Sequence, residues 1–398
     1  MSAVPQFAND PERAIREVTQ RIEPELIAVR RDLHAHPELA FEEVRTAGVV
    51  ARELARLGIP HQTGVGRTGV VGLIEGGRPG PVLAIRADLD ALPIEERTGL
   101  TFASTKPGLM HACGHDIHTT TLLGIGAVLK ELAPRLAGSV KLVFQPAEET
   151  LGGARAMIAD GVLDAPNVNM AIGFHNMPNL PVGRFTYVRG AAMAAADAFD
   201  LTIHGKSGHA AYPETTVDPI VAAGAFIGQA QTVVSREVSA LHPVVVTIGA
   251  IHGGTVRNII PDEVLLRGSV RTLHASARAA AESGIRRLCV GLEAGMRVRC
   301  VLDYVQGVPP LTSDPGMLER TVASVRAQLG DVIAEEAPSM GSEDFALFAE
   351  RVKSFHVRVG SSQPGREDRL HNSAYQPDEA CIAAGVQALA RAAVDLLS

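Results

Sequence analysis

Tryptophan is absent from the 398 residues, and aromatic side chains make up only 4% of them. An aromatic stacking surface for nucleic acid is therefore not expected. Basic residues number 37 against 44 acidic ones, a formal net charge of −7, and no Lys/Arg block stands out. The electrostatic footprint of a nucleic-acid binder is missing as well. No apolar run approaches the length of a membrane span. The opening stretch MSAVPQFANDPERAIREV lacks a basic start followed by an apolar core, so it does not read as an export leader. Cysteine is scarce: Cys113, Cys289, Cys300 and Cys381 are widely spaced, with no CxxC and no dense framework. That usage suits a reduced, cytoplasmic setting rather than a disulfide scaffold.

What is present is a chain with 46% hydrophobic residues, long enough for two domains or for one elaborated by an insertion. Ile15, Val18, Ile22, Leu26, Val29 and Leu33 repeat at spacings of three and four, predicting a helix that Pro37 ends. Short, almost wholly apolar runs follow at 69–75, 82–87, 140–144 and 170–174, as buried strands require. Helical segments at 119–132 and 153–159 lie between them. The alternation predicts an α/β fold with a largely parallel central sheet.

The rhythm changes near Tyr187. A strand at 199–204, a helix at 219–235, strands at 244–251 and 264–273, a helix at 275–295 and a strand at 297–305 give the order βαββαβ. That is a ferredoxin-like unit. The α/β pattern returns afterwards, with a helix near 316–329, a strand at 355–359 and a final helix from Asp378. The expected organisation is a catalytic domain in two parts, 1–187 and 308–398, with an inserted domain over 188–307.

Several polar residues share one placement. Asp88, the pair Glu148–Glu149, and His175 each lie at or just past the carboxyl end of a predicted strand. In open α/β sheets, that edge is where ligands bind. Cys113 and His115, in HACGHDIHTTTLLG (111–124), open a helix and could face the same edge. Thiolate, imidazole and carboxylate together suit zinc-like ions, and one residue between Cys113 and His115 lets both turn to one center. The paired glutamates suggest a division of labour, one binding metal and the other acting as base. Singly, each residue has a plainer explanation: a solvated strand-end pair, a buried structural histidine, a turn-capping aspartate. A Cys113 nucleophile paired with His111 or His115 is a competing reading, but it leaves the glutamates and His175 without a role.

The motifs RADLDALP (86–93), HACGHDIHTTTLLG (111–124), FQPAEET (144–150), GFHNMP (173–178), GKSGHAAYPE (205–214), GGTVRNIIPDE (253–263), MGSEDFA (340–346) and LHNSAY (370–375) occur in this order. The series resembles the amidohydrolase branch of the aminoacylase/carboxypeptidase metallopeptidase family, which includes hippurate hydrolases and N-acetyl-amino-acid deacetylases. The resemblance covers nearly the whole chain. It implies a di-metal catalytic domain with an inserted lid. It further implies Cys113, His115, Glu149, His175 and His371 as metal ligands, and Glu148 as general base. Asp88 would support the metal site from behind by orienting a ligand. On the lid, His209 would polarise the scissile carbonyl in its own or a partner subunit, while Asn258 and Arg271 would contact the substrate. His371 enters through the resemblance alone. Ser373 and Gln376 depart from the usual pattern after that histidine, and Ile117 departs within HDIHTT.

The implied activity is hydrolysis of the amide bond of N-acyl amino acids, using two divalent ions drawn from zinc, manganese, cobalt or nickel. The partner is a small-molecule substrate rather than nucleic acid or membrane, and the lid could carry a homodimer or homotetramer. A dipeptidase or carboxypeptidase with the same di-metal site is the alternative. A metal-binding or sensing protein without useful catalysis is the third reading.

Overall fold

The computed structural model describes residues 10–398. The first nine residues, which begin both the stretch weighed as an export leader and the expected first domain segment, lie outside it. The described chain forms two compact units. Among the described residues, no helix is long and apolar enough to cross a membrane.

The first unit runs to Gly190 and resumes over Thr312–Ala337 and Asp344–Ser398. It is built on an eight-stranded mixed sheet. Its four central strands are, in order across the sheet, Ala137–Gln145, Arg78–Asp88, Met170–Pro181 and Lys353–Ser362. Neighbours among them run parallel. Antiparallel pairing is confined to the flanks, where Gly69–Glu75 joins Ala137–Gln145 and Phe185–Tyr187 joins Lys353–Ser362, and to the outer strand His61–Val65. The central strands are buried on both faces, which explains why the sequence shows continuous apolar runs rather than alternation.

The helix Pro11–Ala35 starts as its sequence dictates. The Asp10 side chain accepts the N–H of Arg13, and Pro11 takes the first helical position, where no N–H is needed. Of its apolar stripe, Ile15, Val18, Leu26 and Leu33 are buried, and Ile22 and Val29 pack at the edge of the core. The helix His115–Leu132 lies against this helix and against Ala380–Leu396, and it is buried on nearly all sides. Its first turn therefore sits deep in the unit while its polar residues still need partners.

The second unit comprises Ala191–Leu311 and Pro338–Glu343. The short second segment joins it through backbone bonds from Ala194 N–H to Gly341 O (2.8 Å) and from Ser339 N–H to Ala192 O (3.0 Å). Its sheet has the order Val244–Gly253, Glu263–Thr272, Ala195–His204, Arg299–Val308, with every adjacent pair antiparallel. The helices Pro219–Thr232 and Ala275–Met296 share one hydrophobic core with it. This is the ferredoxin-like βαββαβ arrangement. The first helix ends at Thr232 and relaxes into a wider helical turn over Val233–Glu237, three residues earlier than the periodicity suggests.

Candidate metal centre

The carboxyl ends of the parallel strands, one helix start and two loops of the first unit converge on a cluster of ligand-type side chains. Gly114 opens the helix His115–Leu132 with φ +87°, and a Cβ there would run into the Asn176 amide. Only glycine meets both conditions, and it aims Cys113 and His115 to the same side. Asp88 pairs in register with Gln145, so the turn carrying Glu148 and Glu149 leaves the sheet beside it. The turn is strained, with φ +52° at Ala147. Two buried carboxylates hold it. Glu43 Oε1 accepts the N–H of Ala147 (2.8 Å), while Asp90 accepts those of Glu148 (3.1 Å) and Glu149 (3.0 Å).

His175 corrects one expectation. It does not end its strand, which continues to Pro181. Pairing with Arg78–Asp88 stops at Gly173, so His175 occupies a stretch that has lost one neighbour and faces the opening. His371 lies in a loop with φ +58°, and its N–H donates to the Ala112 carbonyl (2.8 Å), which draws it next to Cys113.

The ligand atoms of Cys113, His115 and His175 lie within 4.8 Å of one another. The same holds for Cys113, Glu149 and His371, and for His115, Glu148 and Glu149. The sequence-assigned ligands and the second glutamate thus form one connected set. The Cys113 thiol donates to His175 Nε2 (3.3 Å). His175 Nδ1 donates to the Asn176 carbonyl (2.7 Å) and His115 Nδ1 to Asp90 Oδ1 (3.2 Å). Both rings therefore turn Nε2 toward the cluster, the orientation that ligating histidines adopt.

The charges are consistent with a cation site. Burial pushes the Cys113 thiol well above its usual range. Burial, with His118 nearby, holds His175 well below the ordinary histidine value. Burial also opposes a charge on His115, but Asp88 above all, with Cys113 and Asp90, outweighs it and raises this ring well above 6.5. Burial of Glu149 is likewise outweighed by His371 and His115, which lower its carboxyl. The carboxylates of Asp88 and Glu149 thus favour positive charge at His115.

At that point His115 Nε2 and Glu149 Oε1 are buried 3.9 Å apart, and neither has a hydrogen-bond partner. His371 Nε2 stands 3.4 Å from the same Glu149 oxygen, within ion-pair range. Leaving a buried polar atom unsatisfied costs about 1–3 kcal/mol. A divalent cation gives both atoms a partner, and sulfur, imidazole and carboxylate donors suit it.

Asp88 is fully buried. It accepts from Arg86 Nη1 (2.7 Å) and His118 Nδ1 (2.5 Å), and its Oδ2 lies 3.7 Å from His115 Nε2. His118 Nε2 in turn accepts the Asn176 N–H (2.9 Å). His111, four residues before the helix start, is buried with both ring nitrogens lacking a hydrogen-bond partner, and burial lowers its pKa to about 3.

The sequence reading missed Asp90, although the spacing Asp88-x-Asp90 at a strand end was a usable signal. It also missed Arg86, buried beneath the site. Arg86 donates to Gln145, Asp88 and Asp344 at 2.7–2.8 Å. An arginine inside an apolar strand signals a buried carboxylate partner.

The remaining assigned residues lie in the second unit. Gly208–His209 pairs with Ile259–Ile260, and Ala210 N–H donates to the Asn258 carbonyl (3.0 Å), so His209 and Asn258 are neighbours. His209 is exposed, and its Nδ1 accepts from Ala211 N–H (3.1 Å). Arg271 is not beside them. It lies toward the far end of Glu263–Thr272, opposite Val245 and Ala196. At roughly 3.3 Å per residue, it is on the order of 26 Å along the strand from the end nearest His209.

The model of peptidase family M20/M25/M40 matches residues 84–395. An N-acetylcysteine deacetylase of Bacillus subtilis is 41% identical over 379 residues, covering 94% of this chain and 97% of the relative. Thermostable carboxypeptidase 1 of Saccharolobus solfataricus is 35% identical, covering 96% and 97%. A Bacillus subtilis crystal structure described as a dinuclear metal binding peptidase from the M20 family superposes with a TM-score of 0.84 at 38% identity, covering 95% of this chain and 99% of that one. With motifs, fold and end-to-end similarity in agreement, the chain belongs to peptidase family M20/M25/M40 and is a hydrolase of its amidohydrolase branch.

Proposed function

We propose that the protein hydrolyses the amide bond of N-acyl amino acids with two divalent cations held by Cys113, His115, Glu149, His175 and His371. The observation that carries this reading is the facing pair of buried atoms without a hydrogen-bond partner, His115 Nε2 and Glu149 Oε1, inside a set of soft and hard donors. The deacetylase and dinuclear relatives support it. Zinc, manganese, cobalt and nickel all accept such donors.

Bound there, the ions supply an acidified water and a polarised acyl carbonyl. The chain supplies the proton movements and the positioning. Glu148 takes a proton from the attacking water and returns it to the departing amine nitrogen. Asp90 fixes Glu148 by its backbone and His115 by its ring, so base and ligand keep a constant relation. Asp88, held by Arg86 and His118, keeps negative charge behind His115. We assign His209 to polarising the scissile carbonyl and Asn258 to the substrate; Arg271, far from both along its strand, cannot meet the same small substrate within one subunit. Those roles rest on their motifs.

The test is a hydrolysis screen over N-acetyl, N-benzoyl and longer N-acyl amino acids. It compares chelated with metal-reconstituted protein, with metal content measured in parallel. Turnover of acylated substrates that returns with about two metal equivalents per chain is expected. The carboxypeptidase relative favours a second reading, in which peptides with a free amino terminus are preferred. Much faster hydrolysis of unacylated dipeptides than of their acylated forms would establish that reading instead.

A further inference from the structure

One side chain lies behind four of the five proposed ligands without being one of them. Asn176 follows His175 and is fully buried. Its carbonyl accepts the Nδ1–H of His175 (2.7 Å), which turns Nε2 of that ring to the cluster. Its carboxamide fills the space beside Gly114 where any other residue would carry a Cβ, and Gly114 stands between Cys113 and His115. Its Nδ2 donates to the Tyr375 hydroxyl, in the loop that carries His371. Its backbone N–H donates to His118 Nε2 (2.9 Å), the ring that holds Asp88.

Tyr375 is fully buried as well. Its N–H closes a turn on the carbonyl of Asn372 (3.0 Å), the residue after His371. It belongs to one apolar cluster with Met110 and Ala112, and the Ala112 carbonyl accepts the His371 N–H. Cys113 belongs to two ligand groups, with His115 and His175 in one and with Glu149 and His371 in the other. Asn176 stands behind the first group and Tyr375 behind the second, and one hydrogen bond joins them.

We propose that Asn176 and Tyr375 are positioning residues that couple the two metal positions, so that filling one presets the ligands of the other. The inference rests on the two-cation reading. Neither side chain belongs to a ligand group; each acts through the backbone and the rings it holds. A carboxamide and a phenol hydroxyl are both uncharged near neutral pH, so their bond does not depend on the charge of the cluster. Ligands already held in place lose less freedom when an ion arrives, which is how preorganisation raises affinity. An ion on Cys113 and His175 steadies Asn176, and through Tyr375 the loop of His371.

The test titrates chelated full-length protein with cobalt(II). Thiolate-to-cobalt absorption reports ligation by Cys113, elemental analysis gives the equivalents bound, and circular dichroism checks folding. Wild type should take up about two equivalents. Tyr375→Phe keeps the ring in the core and should bind the second ion about 10–100-fold more weakly, with the first little changed. Asn176→Ala should weaken both ions and diminish the thiolate absorption, because Gly114 loses its neighbour as well. The double variant should bind little worse than Asn176→Ala alone, as two residues acting through one bond require. Wild-type affinity for both ions in folded Tyr375→Phe, or simple addition of the two losses, would overturn the inference and leave the two-cation reading standing. Failure of Tyr375→Phe to fold would overturn it too, since the bond would then hold the core rather than the metal. Wild type that takes up no cobalt would overturn the reading and the inference together.

Discussion

Oδ1 of Asp90 lies 3.2 Å from Nδ1 of His115 and accepts the N–H of Glu148 at 3.1 Å. One buried carboxylate thus orients a proposed metal ligand and the proposed base. Partners of this kind typically contribute 10–100-fold to metal affinity or activity, roughly what their removal costs. Asp90→Ala should weaken metal binding by about that factor and lower turnover further, because the strained turn at Ala147 loses an anchor. Chelator competition with a fluorescent metal indicator measures the first effect. Wild-type affinity in a folded variant would remove Asp90 from this role.

Glu148 and Glu149 are adjacent in sequence, but we expect them to separate under mutation. Glu148→Gln should keep both metals and lose turnover by about two to four orders of magnitude, the usual contribution of a positioned general base. Glu149→Gln should lose metal, since its buried Oε1 has no hydrogen-bond partner and Glu149 belongs to two of the ligand-type clusters. Elemental analysis of both variants beside their kcat values distinguishes the roles. The assignment fails if Glu148→Gln loses metal first.

Arg86 is 1% exposed and spans Asp88 and Asp344 with its two terminal nitrogens. Removing one member of a buried charge pair strands the others and costs about 3–5 kcal/mol. Arg86→Met should destabilise the first unit by that order, read as a lower denaturation midpoint. The loss should be partly recovered in Arg86→Met/Asp344→Asn, which removes one stranded charge. No recovery would mean that the arginine contributes mainly through packing.

How much of this was legible beforehand follows from what makes each residue visible. Buried parallel strands announce themselves as apolar runs, so 69–75 was read to the residue and the polar residues after the strands stood out. His175 was recognised, but as a strand end, because sequence cannot show that a strand outruns its partner. His371 has no periodicity around it. Its φ of +58° and its bond to the Ala112 carbonyl are tertiary facts. Asp90 and Arg86 were missed because their roles depend on burial and on partners far along the chain: Glu148 and Glu149 in one case, Asp344 in the other. Arg271 and His209 carry adjacent roles in the motif reading, yet strand register sets them far apart.

The other face of the helix start supplies a pH dependence. Asp116 points away from the cluster to Arg30 (2.9 Å) and to His34 Nδ1 (2.8 Å), and His34 Nε2 meets Glu96 at 3.2 Å. Burial disfavours charge on His34, but Asp116 and Glu96 outweigh it, so its pKa lies above 6.5 in the folded protein. A group raised on folding contributes its full stabilisation below the unfolded value, about 6.5 for histidine, and loses it as pH climbs through the folded value. Asp116 is shifted the opposite way by the Arg30 and His34 charges, which overcome its burial, so its share is lost only in acid. The stability difference between wild type and His34→Gln should therefore be greatest near pH 5–6 and shrink steadily toward pH 9. Urea denaturation should be run on chelated protein, because metal binding releases protons and adds its own pH dependence. A difference that stays constant over this range would mean that His34 is held neutral and that its bonds to Asp116 and Glu96 act without charge.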